Sequence, residues 1–226
     1  MTDSATLLRV EGISVRRGGR AILDSVSFTA KAAEILGVIG PNGAGKTTLF
    51  EAIAGFTRKS GGNIAAESEL FYLPDGIRPW AEQRAGWCLD FFASLFGRAR
   101  DVEAIDALQL EALLRQRVGS LSKGEARRVA LAVALSTPHP ILLLDEPFDG
   151  LDFRQARAAM ALLRARAAAG RTQILSIHQL ADAVRVCDRF LLLDHGRAIA
   201  EGSLAELQAR SGSADANLEE VFLALA

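Results

Sequence analysis

A chain of 226 residues, half of them apolar, is long enough for one domain with a substantial core and too apolar to be disordered. Lys and Arg (26) balance Asp and Glu (27) to a formal charge of −1, and no Lys/Arg-rich run stands out, so the footprint of a nucleic-acid or anionic-membrane binder is missing. No apolar stretch approaches the roughly 20 residues that cross a bilayer. The opening MTDSATLLRV has neither the basic nor the apolar region of a secretory signal. A soluble, cytoplasmic protein is expected, and any membrane-spanning part has to come from another chain. Cys88 and Cys187 lie far apart and match no metal-ligand spacing, so they read as small core residues.

The first third reads as strands. LLRVEGISVRR alternates around a possible turn, and SVSFTAK alternates again. EILGVIG is a short apolar strand ending at Gly40, and KTTLFEAIAG a helix stopped by Gly55. ELFYLP is a strand halted by Pro74. From about Trp80 to Leu114 apolar residues recur at spacings of three and four, which predicts helix. KGEARRVALAVALS is a helix with Arg on one side and Val, Leu and Ala on the other. ILLLD (141–145) is a strand buried on both faces, followed by a helix from about Phe153 to Ala169. TQILSI is a strand, LADAVRVC a helix, RFLLLD a strand, and GRAIAEGS a turn and edge strand. LAELQAR and LEEVFLALA are closing helices. Strands alternating with helices imply an α/β domain with a largely parallel sheet. The strand-rich start and helical middle add two lobes, the latter a helical subdomain of about residues 76–137 within a single domain 1–226.

Between one predicted strand and one predicted helix lies GPNGAGKTT: Gly40, Pro41, Asn42, Gly43, Ala44, Gly45, Lys46, Thr47 and Thr48. It fits G-x-x-x-x-G-K-[ST], a loop whose backbone N–H groups turn inward to bind phosphate. Lys46 is expected on the β- and γ-phosphates of a nucleotide and Thr47 on its Mg²⁺. The alternative is a glycine-rich turn with a chance lysine, which the strand–loop–helix context disfavours. Four carboxylates (Asp145, Glu146, Asp149, Asp152) then crowd into eight positions after ILLL. Buried carboxylates are costly unless paired or holding a cation. Asp145 fits the second magnesium-binding position of a P-loop protein, and Glu146 a group that orients and deprotonates the attacking water.

With LSKGE (121–125) before a helix, DGLD (149–152) and an isolated His178 in LSIHQL, these motifs resemble the ABC-type ATPases in order and spacing over almost the whole chain. LSKGE by itself also reads as a Ser-capped helix start, with Glu125 completing a capping box. The resemblance implies ATP hydrolysis by head-to-tail dimers. Each nucleotide would lie between one subunit's P-loop and the other's signature, so Ser122 and Gly124 would meet the γ-phosphate in trans. His178 would contact the γ-phosphate and the attacking water. Asp149 and Asp152 would lie at the dimer interface.

This sequence departs from the family at four places. Lys123 and Glu125 alter the signature, and Asp149 replaces a more usual Ser. Arg17 stands where an aromatic usually stacks on adenine; a guanidinium can also stack on a flat ring, and a solvated arginine is the alternative. Asp75, in YLPDG, stands where the family commonly has a Gln that ligates magnesium and links to the transmembrane partner; its alternative is a Pro-Asp-Gly turn. The ending LEEVFLALA resembles that of ATPase subunits in bacterial exporters whose permease is a separate chain, and is equally a plain amphipathic helix.

The function this implies is the MgATP-hydrolysing subunit of an ABC transporter. It would dimerise with its own or a homologous copy and energise a separate permease at the inner face of the cell membrane. The competing readings are a soluble ABC ATPase, such as one for iron–sulfur assembly, and a nucleotide-binding regulatory subunit with weak hydrolysis. Only about 75 residues separate P-loop and signature, too few for the long coiled-coil insertion of the DNA-repair type, and one P-loop is present, not two.

Overall fold

The computed structural model describes residues 5–78 and 80–226. Its nine strands are β1 (Thr6–Arg17), β2 (Arg20–Lys31), β3 (Ile35–Ile39), β4 (Gly61–Ala66), β5 (Leu70–Leu73), β6 (Ile141–Asp145), β7 (Thr172–Ile177), β8 (Arg189–Asp194) and β9 (Arg197–Gly202). Its helices are α1 (Lys46–Ile53), α2 (Ala85–Leu95), α3 (Val102–Ala107), α4 (Lys123–Ser136), α5 (Phe153–Ala168), α6 (Leu180–Val186), α7 (Leu204–Ser211) and α8 (Leu218–Leu225).

β2, β1 and β4 form an antiparallel sheet in that order. The other six run β5-β6-β7-β3-β8-β9, all parallel except the last pair. This is the α/β core with an antiparallel lobe that the alternating pattern predicts.

The continuous apolar run of β6 has a direct cause. Leu142 and Leu144 pack with α4 and α5, while Ile141 and Leu143 pack with α1 and the antiparallel sheet. All four are fully buried. Each such side chain stabilises the fold by about 1.5–3 kcal/mol on burial. That anchors a strand able to carry a carboxylate, Asp145, into the interior at its end.

Two expectations need correction. The stretch 80–114 is not one helix: α2 and α3 are separated, and a 3-10 turn follows at Glu111–Leu113. Tertiary bonds decide the breaks. Asp101 caps α3 by accepting from the Ala104 N–H at 3.0 Å, and Arg98 turns back to donate to the carbonyls of Ser136 and Thr137. Arg128, buried in α4, holds the Leu108 and Gln109 carbonyls just after α3. Second, residues 6–17 form one strand with no turn at Glu11–Gly12; the register shifts there between Val10 and Ile13 instead. β4 answers to no predicted element, because GGNIAA is mostly exposed and carries neither period clearly.

Candidate nucleotide site

The parallel strands β6, β7 and β3 lie side by side, and the loops leaving their C-terminal ends meet. That edge is where open α/β sheets bind ligands.

From β3 the chain enters the phosphate loop. A side chain on Gly40 would put Cβ 2.1 Å from the Leu193 carbonyl oxygen, and Gly45 has φ 105° with Leu23 Cδ2 2.7 Å from its would-be Cβ. Neither position accepts another residue, so the loop's tight curl is written into its glycines. Pro41, Asn42 and Gly43 are exposed at its tip, whereas Ala44 and Thr48 are buried beneath it. Lys46 is only 7 % exposed; its Nζ donates to the Gly40 carbonyl at 2.7 Å and lies 3.9 Å from Glu146 Oε1. Burial pushes its pKa down, and the carboxylates of Glu146 and Asp145 partly restore it.

From β6 comes Asp145, 1 % exposed. Its Oδ2 accepts from Thr47 Oγ1 at 2.8 Å and from Tyr72 Oη at 3.5 Å; its Oδ1 accepts from Ser176 Oγ. Burial, and then this carboxylate, push the Tyr72 phenol well above its ordinary pKa, so it stays a donor. The Thr47 and Asp145 oxygens are hard donors at the separation expected of neighbouring ligands on one Mg²⁺, whose bonds of about 2.0–2.1 Å set cis oxygens about 3 Å apart. Among the described residues no three His, Cys, Asp or Glu side chains converge on a metal point. A Mg²⁺ here would draw its remaining ligands from phosphate and water, as that ion commonly does.

Glu146 follows with φ 50°, the left-handed region that costs a non-glycine residue about 1–2 kcal/mol. Its N–H donates to Ser176 Oγ at 2.9 Å, and its Oε2 lies 2.7 Å from His178 Nδ1. His178 leaves the end of β7 and is 43 % exposed. Lys46, Thr47, Asp145, Glu146 and His178 thus come together from three strand ends.

The remaining predicted residues stand apart from this cluster. Ser122 caps α4 in a full capping box with Glu125, whose carboxylate is held below its usual pKa by the Ser122 N–H. The turn packs so closely that a Cβ on Gly124 would lie 2.3 Å from the Gly150 carbonyl of the DGLD loop. Two departures from the family pattern meet there: Lys123 is ion-paired with Asp149. Asp152 caps α5, accepting from the N–H groups of Arg154 and Gln155. Arg17 donates to Glu51 Oε2 at 2.6 Å and to Thr57 Oγ1 at 3.0 Å, which tethers it to α1 and the loop that follows. Asp75, in the turn after β5, is paired with Arg127.

Comparison with known proteins agrees with this geometry. The ABC transporter family model matches residues 23–149, more than half the chain. The chain belongs to the ABC transporter family. It is 35 % identical over 217 residues to the Nod factor export ATP-binding protein I of Rhizobium leguminosarum bv. viciae, covering 88 % of this chain and 70 % of that one. An uncharacterised ABC transporter ATP-binding protein of Methanocaldococcus jannaschii is 31 % identical over 206 residues, covering 88 % and 79 %. A solved ATP-binding subunit of an ABC transporter superposes with a TM-score of 0.89 at 28 % identity, over 97 % of this chain and 99 % of that one. This ABC ATPase is therefore the ATP-binding, ATP-hydrolysing subunit of a transporter. No helix among its described residues is long and apolar enough to cross a membrane.

Three residues around the ABC site were not among those expected: Tyr72, Ser176 and Arg127. Ser176 had a usable signal, a hydroxyl interrupting the apolar run ILSI, but only the register that pairs it with Asp145 gives it a meaning.

Proposed function

We propose that Lys46, Asp145, Glu146 and His178 are the hydrolytic centre, with Glu146 as the base that takes the proton of the attacking water. The observation that carries this is the 2.7 Å contact between Glu146 Oε2 and His178 Nδ1, beside a buried Lys46. The inward backbone N–H groups of Gly40–Thr48, the positive N-terminal end of α1 and Lys46 bind the phosphates. Thr47 and Asp145 hold Mg²⁺, which neutralises phosphate charge when bound. His178 orients Glu146 and the γ-phosphate. Arg17 lies against adenine. A regulatory subunit without hydrolysis would have no use for the Glu146–His178 contact.

Asp75 is the remaining metal candidate, and Arg127 already engages it. Its share in magnesium dependence is therefore expected to be moderate. Asp75→Ala should shift the magnesium requirement of turnover by a few-fold, of the order of one exposed charge contact, and Asp75→Gln should keep most activity. Identical magnesium titrations for wild type and Asp75→Ala would leave Asp75 as a turn residue and partner of Arg127.

The active unit is a head-to-tail dimer with the chain itself or a homologous subunit, Ser122 and Gly124 completing the partner's site. The chain is one domain, and residues of about 76–137 form its helical subdomain, which faces a separate transmembrane permease on the inner side of the membrane. The similarity to a Nod factor export protein favours export. Mixing tests the shared site. Ser122→Asp keeps an N-cap residue, preserving α4, but sets an anion against the phosphate. A Lys46→Ala chain and a Ser122→Asp chain, each inactive, should together recover about a quarter of wild-type turnover, since half of randomly formed dimers are mixed and each mixed dimer has one intact site of two. No recovery from demonstrated mixed dimers would refute the trans arrangement.

A further inference from the structure

We propose that Arg127 is a positioning residue for hydrolysis: it clamps the peptide group that carries Glu146. The inference rests on Glu146 being the base. Arg127 lies in the first turns of α4, and its side chain is 4 % exposed. A guanidinium so buried is costly unless its donors are satisfied. Nη1 donates to the Asp145 carbonyl at 3.2 Å and to the Pro74 carbonyl at 3.5 Å, and Nη2 pairs with Asp75. One side chain thus joins the end of β6, the turn after β5, and the helix that Ser122 caps.

What it holds at β6 sets it apart from an ordinary packing contact. The Asp145 carbonyl and the Glu146 N–H are the two ends of one peptide group. Arg127 holds the oxygen, and Ser176 Oγ accepts from the nitrogen at 2.9 Å. Glu146 sits at φ 50° immediately beyond. A non-glycine residue keeps that conformation only where its surroundings over-determine it. Freed at one end, the peptide can rotate, and the carboxylate then swings away from His178. Ser176 also donates to Asp145 Oδ1, so it cannot be altered without disturbing the metal candidate. Of Asp145, Arg127 touches only the backbone carbonyl; its other partners are the Pro74 carbonyl and Asp75, whose own contribution the Asp75→Ala variant reports separately.

Arg127→Met keeps the stem and removes the donors. It should lower kcat roughly tenfold or more, as small misplacements of a reacting group do, while KM for ATP stays within about twofold because the phosphate loop is untouched. Arg127→Lys should be intermediate, since an ammonium can reach one oxygen but lacks the fork. In a Glu146→Gln background Arg127→Met should cause no further loss, because the base it positions is already gone. Native-state hydrogen exchange at the Glu146 amide should quicken selectively over Leu143 and Leu144, whereas general loosening would quicken all three. Wild-type kcat in Arg127→Met, equal losses in both backgrounds, or unselective exchange would overturn the proposal. Should Arg127→Met not fold, Arg127→Lys is judged by the same kcat and exchange criteria. Normal turnover in Glu146→Gln alone would instead sink the assignment of the base, and the exchange data would still report whether Arg127 holds the peptide.

Discussion

Glu146→Gln is expected to bind ATP and hydrolyse almost none of it. The amide has the carboxylate's shape and can still meet His178 Nδ1, which now lies 2.7 Å from Oε2. It cannot accept a proton from water. General-base catalysis is worth about 10²–10⁴-fold, so turnover should fall by about that factor. Nucleotide affinity should be nearly unchanged, because Lys46, the loop amides and Thr47 remain. A dimer closed over ATP that cannot be hydrolysed should accumulate, visible by light scattering as twice the monomer mass. Normal turnover in this variant would mean that the proton leaves by another route.

Lys46→Ala should fail earlier, at binding. The ammonium is buried and donates to the Gly40 and Pro41 carbonyls. A hydrogen bond to a charged partner contributes about 1.5–3 kcal/mol, which converts to roughly 10–100-fold in affinity, and alanine also frees two carbonyls that shape the loop. Lys46→Met separates the two effects, since it retains much of the buried stem without the charge. Both variants should bind a fluorescent ATP analogue weakly and hydrolyse little. Wild-type affinity and turnover in both would remove Lys46 from the site.

The family and the fold class could be read from the sequence because they rest on local evidence. GPNGAGKTT needs no long-range information to be recognised as a strand–loop–helix phosphate cradle, and ILLL, ahead of Asp145, announces two-faced burial by having no polar member. The helical middle was less legible. Its apolar spacing says helix but does not locate breaks, which are set by Arg98, Asp101 and Arg128 reaching across the fold. The surroundings of Asp145 were hidden for a similar reason. Tyr72 and Ser176 meet it only through the pairing of β5 with β6 and of β6 with β7. Arg127, in a helix of Ala and Val, looks in sequence like one more residue of a solvated arginine stripe, yet it is buried. The capping boxes at Ser122 and Asp152 show that motif residues can have local work within a single chain, beside any role they take up across a dimer.

The pairing of Asp145 with Ser176 limits how this domain can change length. Successive side chains of a strand point to opposite faces, and each residue advances a parallel strand by about 3.3 Å. One residue inserted early in β7 would turn Ser176 away from Asp145. Two would restore the face but carry the hydroxyl and His178 about 6.6 Å too far along. Neither insertion leaves the end of β7 in phase with the ends of β3 and β6. Length variation compatible with hydrolysis is thus confined to segments outside these three strands, such as the exposed tip between β1 and β2 at Gly18–Gly19. The register acts as a ruler, and an insertion scan through the chain should find its sharpest loss of turnover in five- and six-residue strands that never touch the nucleotide along most of their length.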